Sequence, residues 1–281
     1  TQDYPTLEVI IVDDNGEGSD IQKEAEAIAH EFSSSAIPVR YLKQTKSRNG
    51  AVARNMGIAA ARGEYIALLD DDDVFYPDKI IRQINALRSV PEGGAFSYTS
   101  FCVIHKGALR NRVRVKKTKD ISLDILLKRT EVPSSGLQLT KVCWEAAGGF
   151  DDSFDRHQDW EFVVRIGQIC RPVPVEGCSF DKRACLRNTP VDPTLFLRQR
   201  RHYLEKMKPY IEKYPPKTQR RIYAVHTGDI ALIHLCKGKV PEGFSLIMRS
   251  PLPLVTLGYM ASKVLTHLWY GVKGVRFTAL K

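Results

Sequence analysis

Two short apolar runs, each followed at once by aspartates, constrain the fold of this chain more than any other feature. Residues 7–12 (LEVIIV) lead into Asp13 and Asp14, and residues 65–69 (YIALL) lead into four consecutive aspartates at 70–73. A β-branched apolar run that ends in turn residues is typical of a strand buried on both faces. In sheets built from such strands, ligands bind beyond the carboxyl ends. Both acidic clusters are therefore candidates for a functional site.

Helical patterns alternate with these strands. Residues 21–32, 51–61 and 77–87 carry apolar or small side chains at helical spacing, and residues 39–42 have the pattern of a further strand. The alternation predicts an α/β architecture with a mostly parallel central sheet. After about residue 185 the sequence changes to helical segments rich in Lys and Arg. We therefore expect a body at 1–190 and a helical, basic C-terminal region at 191–281.

The charge of the chain is distributed unevenly. The 42 Lys+Arg and 32 Asp+Glu residues give a net charge of +10, but residues 182–281 carry +14 and residues 1–181 carry −4. The total alone suggests a polyanionic partner such as nucleic acid, anionic lipid or a phosphorylated ligand. Because the body is acidic, the two parts are expected to have different functions.

Composition excludes several classes of protein. A hydrophobic fraction of 43% and a charged fraction of 26% are those of a globular protein, not of a collagen-like, disordered or polytopic membrane chain. The six cysteines form no CxxC pair, and no HExxH motif is present. Reduced thiols in a cytosolic protein are therefore favoured over disulfides or a zinc site.

Four segments of the body resemble the motifs of family 2 glycosyltransferases, in the family's order. Residues 4–15 (YPTLEVIIVDDN) resemble its YPNLEIIVVDDGS signature, and residues 49–57 (NGAVARNMG) resemble its NxGxxxARNxG segment. Residues 63–73 (GEYIALLDDDD) are similar to its GEYIxFLDxDD metal motif, and GGFD followed by QDWE within residues 148–161 is similar to its late motifs. The resemblance covers roughly residues 4–187 and implies the GT-A fold, a nucleotide-sugar-binding α/β sandwich.

The resemblance implies a nucleotide site at the strand ends. Asp13 and Asp14 match aspartates that contact the nucleoside base and ribose; alternatively, they only form a turn. Arg54 and Asn55 are expected to shape the nucleotide pocket, although an ordinary helix surface remains the alternative for both.

The second acidic cluster is expected to hold a metal. Four adjacent carboxylates repel one another unless a cation binds, and hard oxygen ligands suit Mg²⁺ or Mn²⁺. By resemblance Asp72 is the direct metal ligand, Asp70 reaches the ribose or metal-bound waters, and Asp73 supports them. The alternative is a solvated acidic turn in front of the next helix.

Asp159 matches the family's general base. A positioned carboxylate can remove the proton of an acceptor hydroxyl as it attacks the anomeric carbon, and a single displacement inverts that centre. Trp160 and Glu161 are expected to support the site, and Arg187 is the candidate for the family's late basic residue. The alternative for Asp159 is a cap of the helix that follows.

Two further segments have weaker assignments. The chain opens almost directly at the YPTLE segment, where the family has an earlier strand and helix, so we expect these to be absent from it. Residues 133–136 (PSSG) fall where the family forms the acceptor side of its site.

The basic region ends in a helix-like pattern over residues 253–277, with Lys263 in its centre. A central charge is costly in a transmembrane span. The pattern therefore favours a helix lying in the interface of an anionic membrane, with Trp269 and Tyr270 at headgroup level. An amphipathic helix packed on the body is the alternative. The first interpretation predicts a protein bound peripherally to the inner face of the cytoplasmic membrane.

The sequence thus predicts a metal-dependent, inverting glycosyltransferase that uses a nucleotide-sugar, most simply a UDP-sugar, and a glycan or lipid-linked acceptor in cell-surface polysaccharide synthesis. The alternatives are a nucleotidyltransferase that makes nucleotide-sugars, a catalytically inactive glycosyltransferase-like protein, and a basic nucleic-acid-binding protein. The acidic body and the absence of nucleic-acid-binding motifs argue against the last class, and nucleic acid is not an expected partner.

Overall fold

The computed structural model describes residues 2–32, 37–90, 94–115, 117–183 and 192–272. Arg187, the predicted late basic residue, lies outside the described residues. The chain forms two compact units. The first is made of Thr1–Cys102, Arg112–Ser122 and Glu131–Lys182, and the second of Val103–Asn111, Leu123–Thr130 and Arg183–Lys281. Two short segments of the predicted body thus belong with the helical region, while the boundary at residue 190 stays a prediction.

Strands and helices alternate through the first half of the chain, as the sequence predicts. The strands are β1 (Val9–Asp13), β2 (Val39–Lys43), β3 (Tyr65–Ala67), β4 (Val74–Phe75), β5 (Ala95–His105), β6 (Ala108–Val113), β7 (Leu137–Thr140) and β8 (Arg171–Arg183). The helices are α1 (Asp20–Glu31), α2 (Gly50–Ala60), α3 (Lys79–Arg88), α4 (Ile121–Leu126), α5 (Lys141–Ala147), α6 (Gln158–Ile169), α7 (Pro193–Ile211), α8 (Pro216–Cys236), α9 (Val240–Met248) and α10 (Pro253–Val272).

The strands form a parallel pair, β1 with β2, and a six-stranded sheet in the order β3-β7-β5-β8-β4, with β6 beside β5. The expectation of a mostly parallel sheet is wrong for this larger sheet. β3 with β7, β5 with β7, and β4 with β8 all pair antiparallel. A continuous apolar run indicates burial on both faces but carries no information about strand direction, so the sequence pattern could not distinguish the two cases.

Local signals explain where the helices that carry the site begin and end. Asn49 caps α2, since its side-chain oxygen accepts hydrogen bonds from the backbone N–H groups of Ala51 and Val52. Gly148 ends α5 in the left-handed region at φ +70°. His157 precedes α6, also in the left-handed region, at φ +67°.

The second unit is a packed set of helices around a small apolar core. Ala231, Ile247 and Met260 are its buried centre, contributed by α8, α9 and α10 respectively. α10 packs on α8 through Thr256, which is fully buried and donates a hydrogen bond from Oγ1 to the Ala224 carbonyl at 3.1 Å. In the part of the chain that the structure describes, no helix combines the length and apolar character needed to cross a bilayer.

Candidate active site

The second acidic cluster forms a tight turn just beyond β3. The Asp73 N–H donates to the Asp70 carbonyl at 3.1 Å, and the Asp70 N–H donates to Ser135 Oγ at 3.0 Å. Asp73 and Ser135 are buried, whereas Asp71 is exposed. The PSSG segment, residues 133–136, therefore contacts the turn at residues 70–73 through Ser135; its assignment to the acceptor side stays a prediction.

Arg54 connects this turn to the start of α6. Its Nη2 lies 2.7 Å from Asp70 Oδ1, and its Nη1 donates to Gln158 Oε1 at 3.0 Å. Arg54 and Asp70 are both largely buried, so this pair is stronger than an exposed one. Arg54 thus connects the Asp70 carboxylate to Gln158 of the QDWE segment, a contact that the resemblance alone did not predict.

Asn55 lies against the GGFD turn. Its Oδ1 accepts hydrogen bonds from the backbone N–H of Phe150 at 2.8 Å and from Trp144 Nε1 at 3.2 Å, and its Nδ2 donates to the Phe150 carbonyl at 2.8 Å. Gly149 has φ +79°, and a Cβ added there would lie 2.8 Å from Asn55 Oδ1. In this structure the amide of Asn55 positions the turn; a role in nucleotide binding stays a prediction.

Trp160 and Glu161 directly follow Asp159 on α6. Glu161 is buried and pairs with Arg165, whose Nη2 lies 2.9 Å from Glu161 Oε2 and 2.7 Å from the Gly149 carbonyl. The Trp160 ring stacks on His157 with centroids 4.3 Å apart. Both contacts hold the segment that carries Asp159; the supporting roles of Trp160 and Glu161 in the reaction stay predictions.

Asp159 is the second residue of α6, and His157 occupies the cap position, so the alternative that Asp159 caps this helix is wrong. Its Oδ1 accepts a hydrogen bond from the Trp160 N–H at 2.9 Å. Burial raises the pKa of the Asp159 carboxyl to about 6, although the nearby cations Arg54 and Lys182 act in the opposite direction. A carboxyl that titrates near neutrality suits a general base.

The first acidic cluster lies close to the second. Burial raises the pKa of Asp14, and the negative charges of Asp13 and Asp71 raise it further, while the positive charge of Arg54 lowers it. The ends of β1 and β3 are therefore near enough for their charges to interact. Asp13 accepts hydrogen bonds from Tyr41 Oη at 2.7 Å and from the Asn15 N–H at 2.8 Å.

These hydrogen bonds, led by the one from the Asn15 backbone, outweigh the opposing effect of burial and lower the pKa of Asp13. Asp13 is therefore held as a carboxylate. Sequence reasoning missed Tyr41, which the pairing of β1 with β2 places opposite Ile11 and within hydrogen-bonding distance of Asp13.

The chemistry of the second cluster suits a divalent cation completed by ligands from outside the protein. Burial, and then the carboxylate of Asp71, raise the pKa of Asp72, so negative charge at Asp72 is incompletely neutralised. Among the described residues, no group of three or more His, Cys, Asp or Glu side chains is arranged to hold a metal. One or two carboxylates are sufficient for Mg²⁺ when substrate phosphates supply the remaining ligands.

Two charged residues of the site were not identified from the sequence. Lys182, near the end of β8, lies in the field of Asp73, Asp70, Asp159 and Glu131, and these carboxylates raise its pKa although burial acts to lower it. Neither Lys182 nor Glu131 belongs to a motif, and both reach the site only through the fold.

Residues 1–126 match the model of glycosyl transferase family 2. The resemblance seen in the sequence motifs is therefore confirmed. Over 175 residues the chain is 30% identical to the amylovoran biosynthesis glycosyltransferase AmsB of Erwinia amylovora, an alignment that covers 60% of this chain and 56% of that protein. It is also 37% identical over 173 residues to the uncharacterized glycosyltransferase RC0461 of Rickettsia conorii, covering 60% of this chain and 28% of that protein. The chain thus spans about half the length, or less, of these relatives.

Solved structures confirm the GT-A type α/β fold. S. aureus TarS in complex with UDP-GlcNAc superposes with a TM-score of 0.55 at 12% identity, over 82% of this chain and 74% of that chain. The mannosyltransferase PcManGT from Pyrobaculum calidifontis, in complex with GDP-Man and Mn²⁺, superposes with a TM-score of 0.55 at 18% identity, over 96% of this chain and 75% of that chain.

Proposed function

We propose that this chain transfers a sugar from a nucleotide-sugar donor to a hydroxyl group of a glycan or lipid-linked acceptor during synthesis of a cell-surface polysaccharide. The observation that carries the proposal is the Asp159 carboxyl. Burial raises its pKa to about 6, and it lies near enough to Arg54 and Asp70 for their charges to act on it. Family membership and a relative named for amylovoran biosynthesis support the reaction class.

Asp159 acts as the general base of a single displacement. Its carboxylate takes the proton of the acceptor hydroxyl while the hydroxyl oxygen bonds to the anomeric carbon. The bond between that carbon and the diphosphate oxygen breaks on the opposite face, and its electron pair stays on the diphosphate. One displacement inverts the anomeric centre, so the product anomer, read by NMR, tests this step. A retained configuration would exclude it.

The donor is a nucleoside diphosphate sugar that binds at the two acidic strand ends. Asp13, held ionised by Tyr41 and Asn15, suits hydrogen bonding to a base or ribose. The structural neighbours bind UDP-GlcNAc or GDP-Man, so both nucleotides are tested. Thermal unfolding should shift upward with one of these donors in the presence of Mn²⁺, because a ligand that binds only the folded state stabilises it. No shift with any nucleotide-sugar would contradict the proposal.

Asp72, together with Asp70, is the proposed holder of a divalent cation, Mg²⁺ or Mn²⁺. When bound, the cation would neutralise charge that develops on the leaving diphosphate. Asp72→Ala should weaken Mn²⁺-dependent UDP or GDP binding by about tenfold or more, as measured by calorimetry. Asp71→Ala, which removes an exposed carboxylate of the same turn, is the matched control. Equal Mn²⁺ dependence in Asp72→Ala and the unmodified protein would exclude Asp72 as a ligand.

The second unit is the proposed contact with an anionic membrane. Three large apolar side chains lie four residues apart on α9 and are more than half exposed: Val240, Phe244 and Met248. Leu254, on α10, is 84% exposed. Exposed basic residues flank α9, namely Lys237, Lys239 and Arg249. Apolar side chains beside cations match the interface of an anionic bilayer.

Point substitutions test this contact better than removal of α10, because α10 contributes to the core of the second unit. Phe244→Ser with Met248→Ser should reduce co-flotation with vesicles containing phosphatidylglycerol. Val142→Ser with Ile169→Ser is the matched control, since both side chains are 56% exposed and lie in the first unit. Equal flotation of the two double variants would contradict the membrane contact.

A further inference from the structure

Lys182 lies near the turn formed by residues 70–73, on the strand that pairs with β4. β4 and β8 pair antiparallel, with Val74 opposite Asp181 and Phe75 opposite Phe180. Extending this register by one residue beyond β4 places Lys182 across from Asp73, which directly precedes that strand. Residues opposite each other in an antiparallel pair project to the same face, with Cβ atoms about 5 Å apart.

The neighbouring contacts agree with this placement. Side chains of consecutive strand residues point to opposite faces, so Asp181 projects away from Lys182. Asp181 accepts a hydrogen bond from Tyr76 Oη at 2.6 Å on that other face. Lys182 is half-buried on the face of Asp73, which is itself buried.

The charges around Lys182 are shared and not paired one to one. Its ammonium group lies in the field of Asp73, Asp70, Asp159 and Glu131. Among the residues that the structure describes, Lys182 forms no close ion pair with any one of them, in contrast to Arg54, which lies 2.7 Å from Asp70. A lysine in this position is a mobile point charge that can turn toward an incoming anion.

We propose that Lys182 binds the diphosphate of the donor and stabilises it as the leaving group. The assignment rests on the proposed function and adds a residue to it. As the anomeric carbon–oxygen bond breaks, the electron pair remains on the diphosphate oxygen, and the Lys182 ammonium donates a hydrogen bond to the diphosphate. The acceptor proton goes to Asp159, so Lys182 loses no proton. Charge-assisted hydrogen bonds of this kind are among the strong ones in proteins.

Lys182→Gln should change two affinities in opposite directions, that for the nucleotide and that for Mn²⁺. The variant should bind UDP or GDP, with Mn²⁺ present, about 10- to 100-fold more weakly, because a charged hydrogen bond is lost. It should bind Mn²⁺ alone more tightly, because a positive charge beside the carboxylates is removed. Calorimetric titration measures both affinities. Arg183→Gln, which removes the same charge from the next residue of β8, is the matched control and should change neither.

The possible results distinguish the Lys182 assignment from the proposed function on which it rests. If the unmodified protein binds neither UDP nor GDP, the proposed function fails and the Lys182 assignment fails with it. If it binds one of them and Lys182→Gln binds that nucleotide equally well, only the Lys182 assignment is overturned. If Lys182→Gln weakens both Mn²⁺ and nucleotide binding, its role is structural and the assignment is also overturned. Lys182→Arg keeps the charge and should retain most of the nucleotide affinity.

Discussion

The two units bury charge in opposite ways. In the second unit a single carboxylate, Asp229, has three partners: Lys128 forms an ion pair with it, Arg200 Nη2 lies 3.2 Å from Oδ2, and Tyr259 Oη donates to Oδ1 at 2.7 Å. In the first unit, several carboxylates share few cations, and the pKa values of Asp159, Asp72 and Asp14 are raised. We refer to these groups as the Asp229 cluster and the acidic centre, the latter being Asp14, residues 70–73 and Asp159.

The Asp229 cluster is closed to further ligands. Arg200 is 1% exposed and its Nη1 donates to His226 Nδ1 at 3.1 Å, while His226 Nε2 donates to the Leu126 carbonyl at 2.9 Å. Burial, and then the positive charge of Arg200, hold the pKa of His226 well below its usual value, so the ring is neutral and fits these two bonds. Such a network stabilises one arrangement of helices. The acidic centre is under-neutralised, which agrees with the proposal that a cation and a substrate bind there.

The largest effect should come from Asp159→Asn. Loss of the proposed general base should lower the transfer rate by about 10²- to 10⁴-fold while nucleotide binding persists. Rates of nucleoside diphosphate release measure the effect, and Asp155→Asn, an exposed position just before α6, is the control. A near-normal rate in Asp159→Asn would exclude it as the base.

Asp229→Ala should act on stability and not on the transfer rate: it should strongly lower the free energy of unfolding. Removal of this carboxylate leaves Arg200 and Lys128 buried without their counter-ion, which costs about 3–5 kcal/mol when a buried pair is broken. Urea unfolding measures the change. Glu205→Ala, an exposed carboxylate on α7, should cost little. If both variants unfold at the same urea concentration, the Asp229 cluster does not hold the second unit together.

The smallest expected effect concerns stability. Asp159→Asn should raise the free energy of unfolding of the unliganded protein. The folded-state pKa of Asp159, about 6, is above its unfolded value of 3.8. Ionisation therefore opposes folding, and the stability contributed by the protonated form, present in full below pH 3.8, is lost as the pH rises through 6. At pH 8 the gain should be at most about 3 kcal/mol, and it should vanish near pH 4. Urea unfolding at both pH values provides the test, and destabilisation at pH 8 would contradict the account.

The proposed membrane contact and the Asp229 cluster both belong to the second unit, but they differ in how much of each could be predicted from the sequence. The helical spacing of α10 predicts an amphipathic helix, and the structure shows its buried side against α8. The exposed stripe of α9 was not predicted, because nine residues give too short a pattern to separate an exposed face from a buried one.

The sequence by itself indicated the resemblance to family 2 glycosyltransferases, the GT-A type fold and the acidic strand ends, because motifs and their order are read directly along the chain. The tertiary structure decided which charges meet. Lys182 joins Asp70 and Asp159 only because β8 returns antiparallel to β4, and Lys128 joins Asp229 across a hundred residues of chain. The tertiary structure also decided the direction of the strands, because a buried strand is apolar whether it pairs parallel or antiparallel. Two charged groups interact according to their distance in space, whereas a sequence gives only their distance along the chain.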